Sequence, residues 1–317
     1  MFGKNLVRQM IGRSAENDTD RRNFLKSAGA VGLGVIGAGA LGSSAVAAPL
    51  AATSASEEEA AVLAPPSDAA VLNFALNLEY LEAEFYLHAV TGEGLADKLT
   101  TGTGTRGKVT GGRAVPFESK VIQQYAQEIS DDEFAHVEFL RAALGKAAVS
   151  RPAIDIQNSF TAAARAAKLI GATETFDPYA NENNFLLAAF LFEDVGVTAY
   201  KGAAPLINNK TYLEAAAGIL AVEAYHASTI RTSLFEKGMA ASVKKLSDAR
   251  NSLDGAKNDD QGLTAYARAN INPTTRTGLA YSRTPGKVLN IVYLNPGKVS
   301  KGGFYPAGVN GAVRVSG

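Results

Sequence analysis

The feature that most constrains this chain is a glutamate on the apolar stripe of each of its four longest helical patterns, where a core residue belongs. Apolar residues at helical spacing predict helices over about 68–90, 117–144, 181–204 and 211–237. Ser67 after Pro66 is a candidate N-cap for the first, Gly145 stops the second, Pro205 ends the third, and Thr211-Tyr212-Leu213-Glu214 reads as a capping box opening the fourth. In the fourth segment Ile219, Glu223, His226 and Ile230 share one face, and Ile129, Glu133, His136 and Leu140 repeat that spacing in the second. The first and third segments share a different repeat. Leu72, Glu79 and Tyr86 match Leu186, Glu193 and Tyr200, and Ala75 and Ala189 each precede their Glu by one turn.

Four carboxylates facing a common core repel one another, and burying even one without a partner costs on the order of several kcal/mol. Positive charge must therefore sit among them. Two divalent cations balance four carboxylates, and Glu-x-x-His sets both side chains on one helix face, where two neutral imidazoles complete the ligand set. The chain has no Cys, which excludes disulfide scaffolds, thiol nucleophiles, iron–sulfur clusters and thiolate zinc sites. It has only three His, and carboxylate-rich coordination with imidazole suits iron or manganese better than structural zinc. With 31 basic against 31 acidic residues and no recognisable nucleic-acid motif, nothing favours binding to a phosphate backbone.

Several readings stay open at single positions. Glu82 lies one turn from Glu79 and can take its place, and Glu133 can be read as the third residue of a capping box opened by Ser130. Tyr86 and Tyr200 are either core aromatics or donors to a ligand carboxylate. Asp132 is placed to orient a ligand His, although its counterpart in the other motif is Val222. His88, nine residues beyond Glu79, falls on roughly the opposite face and reads as a surface residue.

The order Glu79, Asp132-Glu133-x-x-His136, Glu193 and Glu223-x-x-His226 resembles the ferritin-like di-metal carboxylate proteins. That resemblance implies an all-α, ferritin-like four-helix bundle with a long crossover, and a site of two Fe or Mn ions per chain. It also implies that Tyr86 donates to Glu193. A narrower likeness, to the desiccation-related ferritin-like proteins, runs through Leu72-Asn73-Phe74-Ala75-Leu76-Asn77-Leu78-Glu79, Arg283-Thr284-Pro285-Gly286-Lys287-Val288-Leu289-Asn290, Gly302-Gly303-Phe304-Tyr305-Pro306 and Asn310-Gly311.

Outside the bundle, Arg21-Arg22-Asn23-Phe24-Leu25-Lys26, a Gly-interrupted uncharged stretch and Ala45-Val46-Ala47 resemble a twin-arginine signal peptide over residues 1–47. The expected organisation is then a linker over 48–66, the bundle over 67–238, and an extra helix with an irregular, partly extended tail over 239–317. Residues 91–115 match no helix or strand template and read as a long loop, an Ala-rich helix is expected near 159–170 in the crossover, another near 240–253, and Lys287 to Leu294 reads as a strand.

These readings lead to an exported protein of the periplasm or cell envelope whose di-metal centre handles peroxide or dioxygen under oxidative or drying stress. Its substrate is a small molecule, it touches membrane only through the export signal, and a homo-oligomer is compatible with it. The alternatives are a non-enzymatic stress-protective or envelope-associated protein with a structural metal site, and iron storage, which the long loop and the tail disfavour.

Overall fold

A computed structural model of the chain describes residues 65–255, 259–265 and 268–317. The expected export signal and nearly all of the expected linker lie outside the described residues. Four long helices are present: α1 (Asp68–Thr91), α2 (Lys120–Leu144), α4 (Glu182–Ala203) and α5 (Lys210–Glu236), with the short α3 (Asn158–Ala166) in the crossover between α2 and α4. Two further helices, α6 (Ala240–Asp254) and α7 (Pro285–Val292), follow. No described helix is long and apolar enough to cross a membrane.

Local chemistry sets the boundaries. The Ser67 and Ser119 hydroxyls accept from the amides of Ala70 and Ile122, both at 3.3 Å, and the Asn181 side chain accepts from Asn184 at 2.9 Å. Thus α2 begins at Lys120, after Ser119, and not at Phe117. Gly92 (φ 83°) closes α1 with its amide on the His88 carbonyl, a left-handed stop that glycine adopts without strain. The capping box expected at Thr211 is not what starts α5: the N-cap is Asn209, two residues earlier, whose side chain accepts from the Thr211 amide at 2.9 Å. In the crossover, α3 stops short of residue 170 because Lys168 turns to φ 54°.

The strand expected over Lys287–Leu294 is instead α7. Pro285 occupies the first turn, where its missing N–H costs nothing, and the Thr284 hydroxyl accepts from the Lys287 amide at 3.3 Å. The run Val288-Leu289-Asn290-Ile291-Val292 is buried throughout, and a short apolar run of that kind carries no readable period. The loop after α1 is less featureless than its composition suggests. It contains β1 (Val109–Thr110), which pairs in parallel with β2 (Ile154–Asp155) of the crossover, Val109 against Ile154.

α1 packs along α2 and α4 along α5, with lesser contacts between α1 and α4 and between α2 and α5 closing the bundle. The two pairs differ in burial. α2 and α5 bury one stripe each, whereas α1 buries every residue from Val71 to Tyr86 and α4 every residue from Phe185 to Gly196. The second face of this inner pair is covered by α3, α6, α7 and the tail. Phe85 stacks on Phe185 at 5.5 Å, and Phe304 of the tail meets Phe160 and Phe192 at 5.0 Å each. Asn77, wholly buried on α1, donates to the Asn310 carbonyl at 2.9 Å and accepts from the Asn310 amide at 3.0 Å, so the tail is stitched to the helix that carries Glu79.

Candidate metal centre

The bundle centre brings Glu79 of α1, Glu133 and His136 of α2, Glu193 of α4, and Glu223 and His226 of α5 into one buried cluster. Two ligand groups emerge, and each has donor atoms within 4.8 Å of one another: Glu79, Glu133, His136 and Glu223 in one, and Glu133, Glu193 and His226 in the other. Glu133 belongs to both. His136 Nδ1 lies 3.2 Å from Glu79, 3.6 Å from Glu133 and 3.9 Å from Glu223, while His226 Nδ1 lies 3.1 Å from Glu133 and 3.5 Å from Glu193. The imidazole centres are 6.4 Å apart.

Around this cluster stand groups that orient it. Tyr86 donates its hydroxyl to Glu193 and Tyr200 donates to Glu79, so each long inner helix sends a phenol to the carboxylate of the other. Asp132, with 45% of its side chain exposed, lies 3.1 Å from His226 Nε2. As its acceptor, Asp132 holds the proton on Nε2 and leaves Nδ1 facing the carboxylates. His136 has no equivalent carboxylate, in keeping with Val222 at the matching place.

His88 is not a surface residue. Only 14% of its side chain is exposed, and its Nδ1 contacts the Glu84 carbonyl at 2.7 Å. The loop after α1 folds back over it, so closely that a Cβ on Gly112 would come within 2.3 Å of the ring. It stays apart from the cluster, as its phase on α1 requires.

Does the donor set fit a metal? Both carboxylate oxygens of Glu133 and of Glu223, Glu193 Oε2 and His226 Nδ1 are buried without a properly directed hydrogen bond. Buried acceptors left without donors are costly and rare, and here they converge on one point. Hard oxygen ligands with imidazole nitrogen are what iron or manganese takes. The residues therefore fit a metal site.

The electrostatics of the protein without cations show the same strain. Burial, and then Glu133 nearby, raise Glu79 to about 7 in spite of His136. Burial opposes charge on His136, but the Glu79 and Glu133 carboxylates overcome it and raise the imidazole to about 10. Glu133 goes the other way: burial raises it, and the two imidazoles more than offset that. Glu223 is pushed well above the ordinary range by burial and by Glu82 and Glu133. The raised groups favour their protonated forms, which offsets the repulsion among the carboxylates.

A further buried carboxyl beside the cluster stands outside both ligand groups. Glu82 is close enough to Glu133, Glu79 and Glu193 for their charges, after burial, to push it well above the usual carboxylate range. Its position one turn from Glu79 marks it in the sequence as a substitute ligand, yet the structure sets both carboxyls beside the cluster, with Glu79 in the ligand group.

Comparison with known proteins agrees with this geometry. The ferritin-like domain family matches residues 67–236. Desiccation-related protein PCC13-62 of Craterostigma plantagineum is 31% identical over 269 residues, covering 78% of this chain and 84% of that protein. Ferritin-like catalase Nec2 of Nesocodon mauritianus is 27% identical over 269 residues, covering 78% and 85%. No solved structure matches significantly. From the match across the bundle, and the helices it positions around the Glu and His cluster, this chain belongs to the ferritin-like domain family.

Proposed function

We propose that this chain is an exported ferritin-like protein whose centre holds two iron or manganese ions and reacts with hydrogen peroxide or dioxygen in oxidative or drying stress. The observation that carries the reading is the convergence of unpartnered carboxylate oxygens from Glu133, Glu193 and Glu223 beside two imidazole Nδ1 atoms. Glu79, Glu133, His136 and Glu223 would hold one ion and Glu193, His226 and the shared Glu133 the other. A bound pair supplies two-electron exchange between the divalent and trivalent states.

The chain's own residues do the rest. Four carboxylates stabilise the higher charge of the oxidised pair, Tyr86 and Tyr200 hold Glu193 and Glu79 in orientation, and Asp132 fixes the tautomer of His226. The buried stretches Val71–Tyr86 of α1 and Phe185–Gly196 of α4 exclude bulky reductants. A relative that carries the name catalase supports peroxide as the substrate, and one named for desiccation supports the stress setting. Export rests on Arg21-Arg22 and Ala45-Val46-Ala47, with a mature start near Ala48.

Elemental analysis of the protein from its own source should give about two Fe or Mn per chain, and stopped-flow spectroscopy should show peroxide-driven oxidation that His136→Ala or His226→Ala abolishes. A fully loaded protein inert to peroxide and dioxygen would leave the metal a structural role and refute the redox reading. Mass spectrometry of the mature N-terminus tests export.

A further inference from the structure

A cavity of about 50 Å³ lies between the inner helix pair and the outer layer of α3, α6 and α7. Its walls are Leu81, Phe192, Val195, Leu246, Ile291 and Phe304, and its rim includes the exposed Ala166 and the half-buried Ala249. The lining holds two charged side chains. Arg250 is committed to Asp194, Asp260 and the Phe190 carbonyl at 2.9, 2.7 and 2.7 Å. The other is Glu82, at the end nearest the cluster.

The inner wall is thin at one place. Gly196 lines the cavity, and a Cβ built on it would fall 2.1 Å from Glu223 Oε2. The Glu223 carboxylate thus occupies the volume that any other residue at 196 would fill, and no side chain of residue 196 separates it from the cavity. Asp132 on α2, beside His226, is half-exposed on another side of the cluster.

We propose that this cavity is a passage for dioxygen between solvent and the carboxylate–histidine cluster, with Glu82 and Gly196 at its inner end. The lining disfavours other ligand classes. Its one cation, Arg250, is already neutralised by two carboxylates and keeps only Nε without an acceptor, and the cavity's size admits only a few molecules as small as water or dioxygen. An apolar diatomic molecule gains from such walls, whereas peroxide loses its hydrogen bonds to water there. The assignment rests on the redox reading of the cluster: when two peroxide molecules disproportionate to two waters and one dioxygen, one peroxide is oxidised and the other reduced, and the dioxygen has to leave.

Xenon-pressurised crystals of the mature protein test the passage without any metal. Wild type should show xenon between Phe192, Val195 and Leu246. Ala249→Phe on α6 and Ala166→Phe on α3, both at the partly exposed rim, should lose it and keep the thermal midpoint. In the reduced, metal-loaded protein each variant should slow oxidation by dissolved dioxygen at least tenfold, with metal content and the first turnover with peroxide unchanged. Absence of xenon from wild type overturns the passage whatever the cluster does. Equal oxidation rates in wild type and in variants that have lost xenon overturn it too. Xenon uptake in a loaded wild type inert to both oxidants overturns the redox reading, and the passage with it.

Discussion

Tyr200 illustrates how much of this site depends on a single hydroxyl. Its donation to Glu79 leaves the other oxygen of that carboxylate 3.2 Å from His136. Replacing groups that orient ligands typically weakens metal binding by about 10- to 100-fold, so Tyr200→Phe should bind metal weaker by that range in chelator competition and still fold. Unchanged affinity would reduce Tyr200 to a core aromatic. Titration offers a second check. His136 rises from 6.5 to about 10 in the metal-free fold, so its stabilisation is complete below 6.5 and lost as pH climbs through about 10. Glu79, raised from 4.5 to about 7, contributes below 4.5 and loses that contribution as pH rises through about 7. Glu133 is depressed, and its contribution is lost only as pH falls below the ordinary 4.5. The melting temperature of chelator-treated protein should therefore fall steadily between pH 5 and pH 9, while metal uptake releases protons and tightens over the same interval. A melting temperature that rises with pH would contradict the proton-for-metal exchange.

At the scale of the element, α4 shows how one small residue shapes the place of a candidate ligand on a neighbouring helix. Gly196 costs helix propensity, roughly 0.5–1 kcal/mol relative to Ala, yet it leaves the space in which Glu223 of α5 lies. The colliding atom is the far end of a flexible side chain, so Gly196→Ala displaces Glu223 at little cost to the fold. The metal-free variant should melt at or slightly above wild type, while its metal content drops toward one ion per chain or below. Full metal content in the variant would show that Glu223 is dispensable. Gly202 on the same helix is a different case, because a Cβ there would meet the backbone oxygen of Arg283 at 1.8 Å. No side-chain movement relieves that, and the clash shows how tightly the segment before α7 is seated on α4.

The whole molecule is tied together by a buried chain of alternating charge. Arg231 meets Asp194 at 2.8 Å, Asp194 meets Arg250 at 2.9 Å, Arg250 meets Asp260 at 2.7 Å, and Arg283 joins Asp260 to Asp254, the latter at 2.7 Å. These residues belong to α5, α4, α6 and the segment that leads into α7, and Asp194 directly follows Glu193. Removing one member leaves buried charge less well balanced. Arg283→Met should cost about 3–5 kcal/mol in urea unfolding because Asp254 and Asp260 lose the buried guanidinium that joins them. A loss below about 1 kcal/mol would mean that water reaches the network.

The site's composition was legible in the sequence because a helix repeats its face at a known spacing, and a carboxylate in the middle of an apolar stripe needs a partner whatever its neighbours are. Glu79, Glu133, His136, Glu193, Glu223 and His226 stand out on that argument alone, as do the four long helices. The tertiary structure decided what lies far apart in the chain. Within its buried run nothing marks α7 as a helix over a strand, because the run has no period, and the local signals are confined to Thr284 and Pro285 at its start. Nor does local pattern reveal that α1 and α4 are covered on both sides, that Asn77 meets Asn310, or that the loop after α1 folds over His88. The Arg–Asp chain and the cavity ending at Glu82 and Gly196 arise only where α6, α7 and the tail dock on α4. A sequence states which side chains a helix presents together, and long-range packing decides which of them meet another helix, a neighbouring loop or an open space.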